Sequence, residues 1–298
     1  MAVDFPLWHE SDLLNTGTMN LPSVLLLIPA YNEEGRIGPT LRHYASHVRD
    51  HYAGRFEIVA VVNGCRDNTL GVVESVARDF SNIRWLVIPD RVGKGGALIE
   101  GLRLAPEADI IGYADADAAT SPASLLELAA RCRDYDCAVG SRRVPGAVIH
   151  QSQPSHRQLA SKVFHCIVEF LFGMGIHDTQ CGAKFLRQHM ALKIQDRLLI
   201  ADMAFDVNLL YAVKHAGGTM IEVPVDWTDH LGSTVRYFRT SLVMLLSVVR
   251  LRLVYSPFYS WLGPIRPLEA WIYKALRNPP PLAVPPPDRS ATRRPPGR

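Results

Sequence analysis

The sequence predicts an α/β protein, a mostly parallel sheet flanked on both faces by helices. Three observations carry this. Short runs rich in valine, isoleucine and leucine recur through the first half of the chain, segments of helical period lie between them, and polar, glycine-rich or acidic stretches follow the runs directly. Strands that are apolar on both faces and alternate with helices are covered on both sides, which is the situation of a parallel sheet.

The elements follow in order. "VLLLIP" (24–29) is the first strand, and Ile37, Leu41, Tyr44 and Val48 after it share one helical face. "FEIVAVV" (56–62), "IRWLVI" (83–88), "DIIGYA" (109–114) and "CAVG" (137–140) are further strands. Ser121 and Pro122 supply an N-cap and a first helical residue for the segment carrying Leu125, Leu128 and Ala129. After residue 145 the alternation breaks down, and longer amphipathic helices are expected at about 156–173, 203–216 and 235–262. The chain therefore divides into an extension (1–22), a first half (23–145), a second half (146–262) that reads as an acceptor region, and a tail (263–298). Proline and arginine dominate that tail, so it buries too little apolar area to offset ordering and is expected to be largely disordered.

Composition narrows the function. With 48% hydrophobic residues in 298 positions the chain can form a proper core. A net charge of +3 is too mild for a nucleic-acid binder, and no partner of that kind is expected. Five cysteines without a CxxC pair, and an N-terminus without a signal-peptide pattern, point to a reduced, cytoplasmic setting. The most apolar segment, "SLVMLLSVVRLRLVYSPF", carries Arg250 and Arg252, so no transmembrane helix is expected.

In parallel sheets ligands sit beyond the carboxyl ends of the strands. That rule selects "PAYNEE" (29–34), "NGCRDNT" (63–69), "DRVGKGGA" (90–97) and "DADAAT" (115–120). Asp115 and Asp117, two apart with no cation beside them in the sequence, face the same way in an extended segment and repel. Two readings stand. A hard divalent cation bridging to a diphosphate resolves the repulsion, and a solvated turn ahead of a helix tolerates it. Lys94 among glycines at a helix start suits an anionic ligand, though the P-loop spacing is missing. Asn32 with Glu33 and Glu34 fits a helix entry as well as a grip on a nucleoside.

Taken in this order, the PAYNEE, N-G-x-x-D-N-T, G-K-G-G-A and D-A-D-A motifs resemble the family 2 glycosyltransferases of GT-A fold. "GSR" (140–142), "DTQCGAKFL" (178–186), "MAFDVNLLYAVKHAGG" (203–218) and "EVPVDWTDHLGSTVRYF" (222–238) are similar to the dolichyl-phosphate glucosyltransferases. The resemblance spans roughly residues 23–256. It implies that the first half binds a nucleotide sugar through Pro29, Tyr31, Asn32, Glu33 and Asn63, with Lys94, Asp115, Ala116 and Gln180 completing that site. Asp115 and Asp117 would hold Mg²⁺ or Mn²⁺, and Asp117 and Asp206 would be the catalytic pair. Arg142, Arg157, Ser233 and Arg236 would meet phosphate or diphosphate. Three departures stand out: Val62 and Asn63 replace two acids of the family, Asn208 replaces a glutamate that would place a charge near the acceptor, and the N-terminal membrane anchor of the eukaryotic relatives is not expected from this sequence.

The resemblance implies an inverting transfer of glucose from UDP-glucose to a polyprenyl phosphate; GDP-mannose or another nucleotide hexose, or a soluble hydroxyl acceptor, are the alternatives. A phosphate monoester, with its second pKa near about 6, is already largely ionised at neutral pH, so Asp206 is expected to orient the acceptor or a sugar hydroxyl rather than take a proton. A sugar nucleotidyltransferase needs a G-x-G-T-R-like loop, and a processive synthase needs Q-x-x-R-W; neither is present. Asp178 with Lys184 also fits a plain surface pair, worth about 0–1 kcal/mol. Cys181 reads as a packed thiol, and neither His177 nor His230 as a metal ligand. Arg236, Arg239, Arg250 and Arg252 interleaved with apolar residues, with Trp261 and Trp271 beyond, suit an interfacial helix at the cytoplasmic face of a membrane.

Overall fold

The computed structural model describes residues 21–150, 155–228, 237–255 and 292–293. Its first half alternates as the apolar runs require: β1 (Val24–Ala30), α1 (Ile37–His51), β2 (Phe56–Asn63), α2 (Thr69–Asp79), β3 (Ile83–Ile88), α3 (Gly93–Leu102), β4 (Ile110–Tyr113), α4 (Pro122–Arg131) and β5 (Cys137–Ser141). There follow β6 (Val148–Ile149), α5 (Ser155–Phe172), β7 (Lys184–Arg187), α6 (Gln188–Ile194), α7 (Phe205–His215), β8 (Met220–Pro224), β9 (Asp226–Trp227), α8 (Tyr237–Val254) and β10 (Thr292–Arg293).

The main sheet runs β10-β3-β2-β1-β4-β7-β5-β8, and β6 pairs with β9 beside it. β7 lies antiparallel between β4 and β5, β10 is antiparallel to β3, and the other ladders are parallel. Alternate residues of β1 feed two separate cores. Val24, Leu26 and Ile28 pack with Leu41, Val76 and Leu125 of α1, α2 and α4. Leu25 and Leu27 pack with Leu98, Phe205, Leu209 and Val248 of α3, α7 and α8. Both faces are thus covered, the reason these strands read as unbroken apolar runs.

The predicted strands and helices of the first half match within a residue or two. β7 and β8 are additions: "KFLR" holds two cations and "MIEVP" is half-buried, so neither carries the apolar signature, yet both complete the sheet begun by the first half. Residues 292–293 form β10, although the tail was expected to lack order. Among the described residues no helix is long and apolar enough to cross a membrane.

Candidate active site

The loops at the carboxyl ends of β1 and β2 are laced together. Asn32 Oδ1 accepts from Arg66 N at 2.8 Å, Glu33 N donates to Thr69 Oγ1 at 2.8 Å, and Glu34 N donates to Asp67 Oδ2 at 3.1 Å. Asn32 sits at φ +54, a left-handed conformation that asparagine tolerates better than most residues. α1 begins only at Ile37, so Asn32 does not cap it, and the plain helix-entry reading fails. Glu33 is held by both arms of Arg36. Burial raises the Glu33 pKa, Arg36 opposes this, and the charges of Asp117 and Asp67 add to the rise. The Arg91 guanidinium lies 4.2 Å over the Tyr31 ring and presents a cation beside this loop. Asn63 closes the next loop: its oxygen accepts from Val92 N and its amide donates to Gly93 O. Asn63 therefore shapes the start of α3.

The acidic segment is a turn rather than extended chain, with Ala118 at φ +57. For an alanine that conformation costs about 1–2 kcal/mol, so the surroundings must enforce it. Thr40 and Tyr44 of α1 donate to the carbonyls of Ala116 and Thr120 from beneath, and Asp117 Oδ1 accepts from Ala119 N. Ser121 caps α4 and Pro122 opens it, as predicted.

The absence of a cation beside the aspartates in the sequence is reversed by folding. Lys94 Nζ lies 2.5 Å from Asp115 Oδ1 and 4.0 Å from Asp206 Oδ2. Asp206, buried at the start of α7, accepts from Lys184 Nζ and Tyr113 OH, both at 2.5 Å. Burial pushes the Asp206 pKa up, but the ammoniums of Lys184 and Lys94, with the hydrogen bonds of Lys184 and Tyr113, hold it below the ordinary range. Lys94, despite burial, is held protonated by Asp115 and then Asp206. Asp206, expected to orient the acceptor or a sugar hydroxyl, is buried, with Oδ1 held by Lys184 and Tyr113 and Oδ2 turned toward Lys94. Lys184 and Tyr113 were missed because their partner lies far along the chain.

Lys94 rests on a second scaffold. A Cβ at Gly95 would fall 2.7 Å from the Ile200 oxygen, and Gly96 N donates to Ala201 O. The 197–204 loop is held in turn by Asn208, whose oxygen accepts from Leu199 N and Ile200 N while its amide donates to Arg197 O. Asn208 is thus a fully buried loop clamp. Asp202 in this loop accepts from Ser247 Oγ of α8 at 2.6 Å.

Arg142 meets Asp178, not an open site. Its Nε and Nη2 reach the two carboxylate oxygens at 2.7 and 2.9 Å, and its guanidinium lies over Trp227. The Asp178–Lys184 surface pair is likewise excluded, since both residues are buried and paired elsewhere. Gln180 Nε2, in the same segment, is buried without a hydrogen-bond partner. Cys181 is a packed thiol whose pKa burial pushes up to about 11. His177 pairs with Glu222. Arg157 lies on α5 with its side chain outside the described residues, as are Ser233, Arg236, His230, Trp261 and Trp271, together with the side chain of Arg239.

Asp115 and Asp117 fit a divalent cation of the magnesium type. Asp115 is partly exposed, already holds one cationic group, and its Oδ2 lies where a Cβ on Gly182 would come within 1.9 Å. Among the described residues no group of three or more His, Cys, Asp or Glu side chains is arranged to hold a metal. One or two carboxylates, with phosphate and water supplying the rest, is the pattern of Mg²⁺ sites.

The family model "Glycosyl transferase family 2" matches residues 25–194, more than half of the chain. The chain belongs to glycosyl transferase family 2. It is 30% identical over 274 residues to the dolichyl-phosphate beta-glucosyltransferase of Drosophila melanogaster, covering 88% of this chain and 75% of that protein. To the Homo sapiens dolichyl-phosphate beta-glucosyltransferase it is 29% identical over 243 residues, 77% of this chain and 75% of that one. Glycosyltransferase AglD of Haloferax volcanii is 30% identical over 76% of this chain, which spans only 36% of that protein's length. The glucosyl-3-phosphoglycerate synthase of Mycobacterium tuberculosis, solved with Mn²⁺, UDP and glucosyl-3-phosphoglycerate, superposes with a TM-score of 0.64 at 15% identity, over 84% of this chain and 86% of that one. That likeness is one of fold, and the family 2 enzyme has the GT-A architecture expected for it.

Proposed function

We propose that this family 2 glycosyltransferase moves glucose from UDP-glucose to a polyprenyl monophosphate, with inversion, in the presence of Mg²⁺ or Mn²⁺. The observation that carries the proposal is the Asp115–Asp117 turn braced against Lys94 at the carboxyl end of the sheet, in a chain similar over most of its length to dolichyl-phosphate beta-glucosyltransferases. A divalent cation held by Asp115 and Asp117 would offset charge developing on the leaving diphosphate. Tyr31 and Arg91 offer the nucleotide a stacked pair, and the orphaned Gln180 amide supplies a donor for the sugar. Lys94, oriented by Asp206, adds positive charge next to the diphosphate. Asp206 itself is held ionised between Lys184 and Lys94, an arrangement suited to an acceptor that arrives already as an anion.

The second substrate is a lipid, and the outer helix faces fit that. Val163 and Phe170 of α5 and Val249 and Leu253 of α8 are exposed, Phe170 at 89%. Lys162 and Arg252 are exposed beside them. An apolar face with cations at its margin suits the headgroup layer of a membrane bearing anionic lipid on its cytoplasmic side. The test is to incubate the purified protein and Mn²⁺ or Mg²⁺ with UDP-glucose, GDP-mannose and other nucleotide sugars, and with a polyprenyl phosphate or a soluble hydroxyl acceptor. Lipid-linked glucose from UDP-glucose is expected. Preferential use of another donor, or of the soluble acceptor, would contradict the proposal.

A further inference from the structure

Four charged groups alternate in sign from the interior to the acidic turn. Lys184 Nζ lies 2.5 Å from Asp206 Oδ1, Asp206 Oδ2 lies 4.0 Å from Lys94 Nζ, and Lys94 Nζ lies 2.5 Å from Asp115 Oδ1. Exposure rises along this series, from none at the Lys184 side chain to 38% at Asp115. The two ammoniums and two carboxylates cancel, so the row is neutral as it stands. A divalent cation at Asp115 therefore meets an ammonium already in contact with that oxygen.

We propose that Lys94 is a built-in counter-ion of Asp115, displaced when a divalent cation and a nucleoside diphosphate bind together. The inference rests on the reading of Asp115 as a metal ligand. Asp115 has little freedom to swing away, because its Oδ2 is packed against the backbone at Gly182. Lys94 has a flexible stem, so the ammonium is the part that moves. Displacement by a metal alone leaves this largely buried ammonium with only Asp206, 4.0 Å away through Oδ2, whose single negative charge is already matched by Lys184 at Oδ1. An ammonium without a matched anion in such a place is unfavourable. A diphosphate arriving with the metal supplies the missing anion. Metal and nucleotide thus strengthen each other's binding by the same factor, as thermodynamic linkage requires.

The experiment measures Mn²⁺ binding by the electron paramagnetic resonance signal of free Mn²⁺, with and without UDP. Wild-type protein, Asp115→Asn, Lys94→Met and Lys94→Gln are compared, each checked for folding by circular dichroism. Wild-type protein is expected to bind Mn²⁺ at least about tenfold more tightly with UDP than without, within the usual range of such couplings. Both Lys94 variants should bind Mn²⁺ alone at least about tenfold more tightly than wild type and lose most of the UDP enhancement. Folded Lys94 variants that bind Mn²⁺ alone no better than wild type, while Asp115→Asn abolishes binding, overturn the counter-ion and leave the metal site standing. Wild-type binding that is absent even with UDP, or is unaffected by Asp115→Asn, overturns the metal site and the inference with it. If neither Lys94 variant folds, the wild type decides: equal Mn²⁺ affinity with and without UDP overturns the inference.

Discussion

At the carboxyl end of the sheet charged groups are buried; on the outer faces of α5 and α8 apolar groups are exposed. Lys184 has no exposed surface, whereas Phe170 is 89% exposed. Each inverts the usual placement of its residue type. The buried charges are matched to one another, so that region is complete as a fold. The exposed apolar residues leave much of their surface uncovered by the described chain, as the proposed contact with a lipid surface requires. Under the proposed function, the contrast separates a site that positions chemistry from a face that meets the lipid substrate.

The first way to break this comparison is to unbalance the ion row. Lys184→Met leaves Asp206 buried with one cation fewer, and should destabilise the fold by about 3–5 kcal/mol in urea unfolding. Adding Asp206→Asn should recover part of that loss, because the uncompensated carboxylate is gone. Additive losses would show that the two groups are not coupled.

The outer face gives a smaller effect of another kind. Phe170→Glu with Val249→Glu should leave stability within about 0.5 kcal/mol per exposed site. Each apolar side chain withdrawn from lipid costs roughly 1.5–3 kcal/mol of binding, so the affinity for anionic vesicles should fall at least about tenfold. Transfer to long-chain acceptors should fall with it while short, water-soluble analogues are spared. Equal losses with both acceptors would assign these residues to the site instead.

The smallest effect sharpens the comparison through pH. Asp206 and Asp178 titrate below the usual carboxylate range in the folded protein, despite burial, because Lys184 and Lys94 act on the first and Arg142 on the second. The folded state then binds fewer protons than the unfolded chain near its reference pKa of about 3.9. Their stabilisation is complete above that value and is lost as pH falls through the depressed values. Urea midpoints measured from pH 6 downward should decline below about pH 4, and the decline should shrink in Asp178→Asn with Arg142→Met. The exposed outer faces should contribute nothing to it.

Much of the sheet was legible because period and apolarity are local properties. β1 to β5 announce themselves, and the loop rule then points to Asp115, Asp117, Lys94 and Asn32. What was not legible depends on distance along the chain. Lys184 lies in a short cation-bearing strand whose meaning appears only when β7 inserts antiparallel beside β4. The Asp178 partner of Arg142, and the 197–200 backbone that Asn208 clamps, appear only on folding. A buried polar residue takes its role from its partner, and no sequence pattern named the partner.

The most direct test of the central claim is lipid-linked glucose formation from UDP-glucose and polyprenyl phosphate in vesicles, wild type against Asp117→Asn. Asparagine keeps the oxygen that accepts from Ala119 N, so the turn should survive while the carboxylate charge is lost. The account predicts chelator-sensitive product from the wild type and at least about 100-fold less from the variant, since weakening even the supporting shell of a metal ligand reaches about 10–100-fold. Undiminished turnover by folded Asp117→Asn, with the same metal dependence, would contradict it.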